Sequence, residues 1–314
     1  MNNVNTLGEN EFANHFGVAV TDLPNSCVDL IRRTEFHYKT LNEFERDLVI
    51  LGVLKKIEED KQKIAAPERK AVWANGWQEA FDDYINAPEN SDSEFVLAPR
   101  FIRSGQAVRL NRNYVMPISP NFELNFIKVL REWIFPTFFN DVSEVHEFGC
   151  GTGFNLLALA KMNPKINCIG SDFVEPSVKL VNLIAEKTGL KLSACEFDML
   201  NPNPGYRVGE NAAFFTFGSL EQLGGKVENF LDFVLSKRPK IIVHIEPVAE
   251  LYDDTLLVDD LALRFQRKRG YTEGLLSKLE HLQSKRKISL QTVRRLNFGS
   301  LMMEGYNLIV WKII

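Results

Sequence analysis

Between residues 144 and 246 short apolar runs alternate with amphipathic stretches, and this alternation restricts the possible folds more than any other feature of the chain. Strand-like runs fall near 144–148, 166–171, 191–197, 212–217 and 241–246, with helical spacing at 154–162, 174–188 and 225–236 between most of them. Strands and helices in such alternation form a parallel sheet covered on both faces, because each helix crosses back over the sheet and buries its apolar stripe there. A helical insertion at roughly 249–284 follows. Two further β-like runs, 289–298 and 306–313, flank a turn containing Gly305 and predict a terminal antiparallel hairpin.

Upstream the pattern changes. Over 26–63, Leu30, Ile31, Phe36, Leu41, Phe44, Leu48, Leu51 and Leu54 recur at three- and four-residue spacing, an amphipathic helical pattern with room for one break. Pro67 and Glu68 read as a helix start, Val72, Trp73, Trp77, Ala80, Phe81 and Tyr84 continue it, and Pro88 ends it. The segment 95–120 carries Arg100, Arg103, Arg109, Arg112 and Tyr114 with little periodicity and reads as an ordered connector. A helix over 121–139 then leads to the first strand. The expected organisation is an N-terminal helical cover with its connector (1–118) and a sheet domain (119–314).

At 314 residues, 45% hydrophobic and 25% charged, the chain has ample material for a core. No run approaches the ~18 apolar residues of a membrane span, and the N-terminus lacks the basic-then-apolar order of a secretory signal. The expectation is a cytoplasmic protein with no membrane partner. Cys27, Cys150, Cys168 and Cys195 are scattered without a CxxC pair, so reduced thiols are expected, not zinc or disulfides. The net charge of −4, with neither half strongly basic, disfavours a nucleic-acid partner.

The chemistry-bearing motif is Glu-Phe-Gly-Cys-Gly-Thr-Gly at 147–153, where a buried strand ends and a helix begins. Gly149, Gly151 and Gly153 allow a tight bend and let a ligand approach the backbone. The dinucleotide fingerprint requires glycine or alanine where Phe154 stands, which disfavours nicotinamide and flavin.

An acidic residue, an apolar residue and GxGxG form the first motif of the class I S-adenosylmethionine-dependent methyltransferases, and 144–314 resembles that family. The resemblance implies a Rossmann-like, seven-stranded α/β sheet whose sixth and seventh strands are the terminal hairpin. It also implies S-adenosyl-L-methionine as cofactor. Glu147, Gly149, Cys150, Gly151 and Gly153 would then cradle its methionine part and ribose, Phe154 and Asn155 would start the helix beneath, and Asp172, with Phe173 beside it, would accept bonds from both ribose hydroxyls. Asp198, flanked by Phe197 and Met199, falls where the family recognises adenine. The alternative for Asp198 read on its own is a simple turn or helix cap.

Ligands of doubly wound sheets sit at the carboxyl ends of the strands. Here those ends are Thr216-Phe217-Gly218-Ser219-Leu220-Glu221-Gln222 and His244-Ile245-Glu246-Pro247. Phe217 is therefore a further cofactor contact, and His244, Glu246 and Glu221 are candidate bases for removing an acceptor proton. His244 stands out because its unperturbed pKa of ~6.5 suits proton removal near neutrality. His244, Glu246, Asp253 and Asp254 could also supply metal ligands, but nothing in their spacing fixes a geometry, and no metal is expected. Tyr114 and the four arginines before it are candidates to clamp a carboxylate. The basic runs at 264–269 and 285–287 read as a solvated helix face or as an anchor for an anionic acceptor.

Methyl transfer to a hydroxyl or amine of a small metabolite, anionic or sugar-like, is the leading expectation. The alternatives are a displacement within the cofactor itself, releasing methylthioadenosine, and a non-catalytic cofactor-binding module.

Overall fold

The computed structural model describes residues 4–62, 64, 69–88 and 91–314. The chain begins with β1 (Val4–Thr6), α1 (Glu9–Phe16), α2 (Asn25–Arg33), β2 (His37–Thr40) and α3 (Glu43–Glu59). It continues through α4 (Arg69–Asn86), α5 (Ser93–Leu97), β3 (Val108–Leu110), β4 (Asn113–Pro117) and α6 (Phe122–Phe138). The single break foreseen in the first amphipathic stretch is β2. After it, Asn42 caps α3 by accepting from the Glu45 N–H at 2.9 Å while Glu45 reaches back to the Asn42 N–H. The helix start foreseen at Pro67 lies outside the described residues.

The alternating part comprises β5 (Glu144–Phe148), α7 (Phe154–Met162), β6 (Asn167–Asp172), α8 (Glu175–Thr188), β7 (Leu192–Glu196), β8 (Ala212–Phe217), α9 (Glu228–Lys237) and β9 (Ile241–Glu246). The insertion supplies α10 (Leu257–Arg269) and α11 (Leu275–Ser284), and the chain closes with β10 (Ile288–Arg294), β11 (Phe298–Gly299) and β12 (Asn307–Ile313). The seven-stranded sheet has the order β10-β12-β9-β8-β5-β6-β7. Strands β5 to β9 pair parallel with one another, and β12 pairs antiparallel with both β9 and β10. This is the Rossmann-like α/β architecture with a terminal antiparallel hairpin. β8 and β9 are central, so their inward and outward side chains are almost all buried.

The first hairpin strand ends sooner than its sequence suggests. Its last residue, Phe298, leaves the hairpin and with Gly299 forms β11, pairing with Leu110 and Arg109 of β3. They complete a five-stranded sheet of order β1-β2-β4-β3-β11, so residues 1–118 contribute strands as well as helices. The reason is long-range pairing, which no local periodicity reports.

Side chains of the sheet alternate between two cores. Val145, Phe215, Val243 and Ile245 face α6, α7 and the N-terminal elements, with Phe16 stacked on Trp133 at 4.3 Å. Phe148, Phe214, Ile242, Ile309 and Trp311 face α9 and α11. Among the described residues, no helix is long and apolar enough to cross a membrane.

Candidate functional site

The glycine turn follows buried β5. Gly149 and Gly151 have φ of +74° and +53°, the left-handed region that L side chains avoid. Space excludes side chains as well: a Cβ on Gly149 would stand 2.5 Å from Cβ of Ser219, and one on Gly151 would stand 2.9 Å from the indole of Trp77. The N–H groups of Gly149 and Cys150 donate to the Ser171 carbonyl at 2.7 and 3.0 Å, which ties the turn to β6.

Asp172, at the carboxyl end of β6, is buried and accepts from the Gly151 N–H at 3.0 Å and the Val174 N–H at 3.3 Å. Burial pushes its pKa up to about 6 against the pull of those N–H groups. Glu147 accepts from Asn155 Nδ2 at 2.8 Å, and burial raises it to about 8. Among the described residues, Glu147 Oε2 and Asn155 Oδ1 have no partner. Buried orphans of this kind mark places where a ligand or water completes the bonding. Cys150 lies buried with Sγ 3.8 Å from Ser177 Oγ, and burial holds its thiol well up. Phe173 is half-buried just after Asp172, and the methyl of Met199 reaches within 3.5 Å of the Gly149 Cβ position. Glu147, Asn155, Asp172 and Met199 thus converge on the turn with its glycines.

Three other nominated residues are engaged elsewhere. Asp198 accepts from the Leu200 N–H at 2.9 Å and Asn201 Nδ2 at 2.8 Å, so both oxygens stabilise its own turn. Tyr114 is buried against Arg109, whose Nη1 donates to its hydroxyl at 3.1 Å. Phe217 packs against Tyr306, ring centroids 5.7 Å apart.

The foreseen arginine clamp does not assemble. Arg109 is fully buried, whereas Arg100 is exposed and bound to Glu79 and Asp83. The basic run of α10 is likewise largely paired: Arg264 with Asp260, Arg267 with Glu273, Arg269 with Asp60.

At the strand ends, Glu221 and Glu246 are both buried and lie close enough for each to shift the other's titration. Glu246 accepts from the N–H groups of Ser219 and Leu220, each at 3.2 Å, and Ser219 Oγ donates to the Phe148 carbonyl at 2.8 Å. The pair is therefore held against the segment that packs on Gly149. Burial raises both carboxyls, and the neighbouring Glu221 drives Glu246 higher. Gln222 donates to Glu221 at 3.1 Å and accepts from Arg69 Nη2 at 3.1 Å.

His244 does not keep the pKa that made it attractive as a base. It is completely buried between β8 and β12, with Nδ1 2.8 Å from Thr216 Oγ1 and its ring 6.1 Å from that of Trp311. Desolvation pushes its pKa down to about 3 and keeps the ring neutral. Among the described residues, no group of three or more His, Cys, Asp or Glu side chains could hold a metal ion.

Sequence reasoning passed over Trp77 and Arg69. α4 packs on α8, Trp73 and Trp77 stack at 5.3 Å, Arg69 lies over Trp73, and the Trp77 indole covers Gly151. The available signal was the Arg69, Trp73, Trp77 spacing of four, which aligns all three on one helix face.

No protein-family model matches the sequence, and no curated protein matches it. Solved structures of similar fold include the magnesium protoporphyrin IX methyltransferase ChlM from Synechocystis PCC 6803 with bound SAH. The two share 11% identity and a TM-score of 0.49 over 78% of this chain and 100% of ChlM. The O-methyltransferase NcsB1 from neocarzinostatin biosynthesis shares 13% identity and a TM-score of 0.42 over 98% of this chain and 89% of its own. A SAM-dependent methyltransferase from Aquifex aeolicus shares 16% identity and a TM-score of 0.38 over 55% and 82%.

Proposed function

We propose that this chain transfers a methyl group from S-adenosyl-L-methionine to a hydroxyl or amine of a small polar metabolite. The observation that carries the reading is the buried Glu221–Glu246 pair, held through Ser219 against the glycine turn. The residues present fit the cofactor: the turn leaves no room for side chains, Asp172 offers a buried carboxyl, and Glu147 and Asn155 keep unmatched acceptor atoms. Trp77 has to leave Gly151 to admit it.

When bound, the cofactor supplies an electrophilic methyl carbon on a sulfonium. Glu221 is the proton acceptor for the attacking hydroxyl or amine, because its Oε2 has no donor among the described residues and burial raises its carboxyl above the usual carboxylate range. Glu246 orients Ser219 and Leu220 as well as its partner. Arg69 and Gln222 beside the pair suit a sugar-like or anionic acceptor. Residues 1–118 act as a cover, with α4 as the part that closes over the turn.

Titration calorimetry with S-adenosylhomocysteine, followed by mass spectrometry of products from a panel of hydroxylated and amino acceptors, tests the reading. The expected products are S-adenosylhomocysteine and a methylated acceptor. Methylthioadenosine, or intact cofactor after prolonged incubation with the panel, overturns it.

A further inference from the structure

One unbroken set of contacts runs from α4 to the acid pair. Arg69 opens α4, and its guanidinium lies 4.5 Å over the ring of Trp73, which stacks in turn on Trp77. Among the described residues Arg69 enters no ion pair, and nearby Arg269, itself bound to Asp60, repels it. Gln222 lies beside Glu221 in the single helical turn Leu220–Leu223 that follows β8. Its Oε1 accepts from Arg69 Nη2 at 3.1 Å, and its Nε2 donates to Glu221 Oε1 at 3.1 Å. A guanidinium only donates, whereas a primary amide has one accepting end and one donating end. While Arg69 is in place the Gln222 oxygen has to face it, and the amide N–H groups have to face Glu221. The reverse setting would oppose two donors at one end and set an oxygen against a carboxylate at the other.

We propose that Arg69 is a positioning residue: seated on Trp73, it fixes the Gln222 amide with its N–H groups toward Glu221, so that the readiness of this carboxyl to ionise depends on α4 lying in place. A donor aimed at a carboxylate favours the ionised form, against the burial that acts the other way on Glu221. The other groups that bear on Glu221 are Glu246 of β9, Arg269 at the end of α10 and Tyr271 just after it, with Arg269 Nη1 donating to Tyr271 OH at 2.9 Å. All three are carried by the sheet domain, and Arg69 is the charged neighbour that α4 contributes. That Glu221 is a base rests on the methyl-transfer reading. Its control by Arg69 does not, because the control is a property of the chain alone.

The test is carbon-13 NMR of the full chain labelled at its glutamate carboxyls, with neither cofactor nor acceptor present. It follows the titration of Glu221, whose resonance is the one missing from Glu221→Gln. Arg69→Met and Gln222→Leu should each raise the Glu221 midpoint by about 0.5 to 1 pH unit, the shift that loss of one ordinary hydrogen bond produces. The double variant should move it no further than either single change, because the two residues act in series. An unchanged midpoint in either single variant overturns the proposal and leaves Arg69 a tether for α4. Shifts that add in the double variant overturn it too, since the arginine charge would then act without the amide. With no cofactor or acceptor in the sample, these outcomes stand apart from the product assay, so a chain that methylates nothing would still decide the role of Arg69.

Discussion

Two buried charged clusters in this molecule are built on opposite rules. Around Asp259, two arginines meet two carboxylates: Arg295 bonds Asp259 at 2.6 Å and Glu304 at 2.7 Å, and Arg109 stands 3.6 Å from Asp259. Burial alone would raise Asp259, yet Arg295 and the Asp253 N–H hold it below the usual carboxylate range. The network ties β3 to α10 and to the hairpin turn, and every charge has a partner. Glu221 and Glu246 instead put two acids side by side, with Glu221 Oε2 lacking a conventional donor among the described residues and both pKa values raised. Paired opposite charges specify how elements dock, whereas like charges buried together set a proton in play.

The contrast breaks first, and most visibly, at Glu221. Glu221→Gln should lower turnover by about 10² to 10⁴ while thermal stability holds or rises, because the change removes a carboxylate that is costly to ionise in a buried setting. The wild-type rate should fall as pH drops through the raised pKa of the pair, since the proton acceptor must be ionised. Less than a threefold loss in initial rate would show that the pair is structural.

Arg295→Met should do the reverse, costing about 3 to 5 kcal/mol of stability in urea unfolding by leaving Glu304 buried without its cation and Asp259 with Arg109 alone. A cost under about 1 kcal/mol would mean the network tolerates unpaired charge, and the distinction between the clusters would lose its basis.

A smaller effect is expected at the lid. Trp77→Ala should tighten S-adenosylhomocysteine binding about three- to tenfold, because the closed α4 no longer competes for Gly151 and the binding-competent fraction rises. Weaker binding in calorimetry would instead make the indole part of the cofactor's own contact surface.

The smallest and most specific effect concerns Glu147, raised to about 8 by burial. A folded-state pKa above the unfolded value near 4.3 means its stabilising contribution is present below that pH and is lost as pH rises to about 8. The melting temperature of Glu147→Gln relative to wild type should therefore climb between about pH 5 and 8 and level off above. A pH-independent difference would place Glu147 in a more solvated setting than its burial indicates.

How much of this was legible beforehand depended on how local the encoding is. The alternation that gives β5 through β9, the glycine turn and the hairpin of β10 with β12 all follow from period-two and period-3.6 patterns and from glycine chemistry. Those forces act within a few residues, so the sequence by itself determined them. It also put His244 and Glu246 on one side of β9, because strand side chains alternate. Only the tertiary structure decided what each of them meets: His244 is sealed by Trp311 from a strand 67 residues along the chain and held neutral, while Glu246 meets Glu221. The same holds for Phe298 joining β3, for Tyr114 and Arg109 entering the Asp259 network, and for Trp77 lying on Gly151. In each case the outcome depends on desolvation and on partners brought from distant parts of the chain, and those costs exist only once the chain has closed around the group.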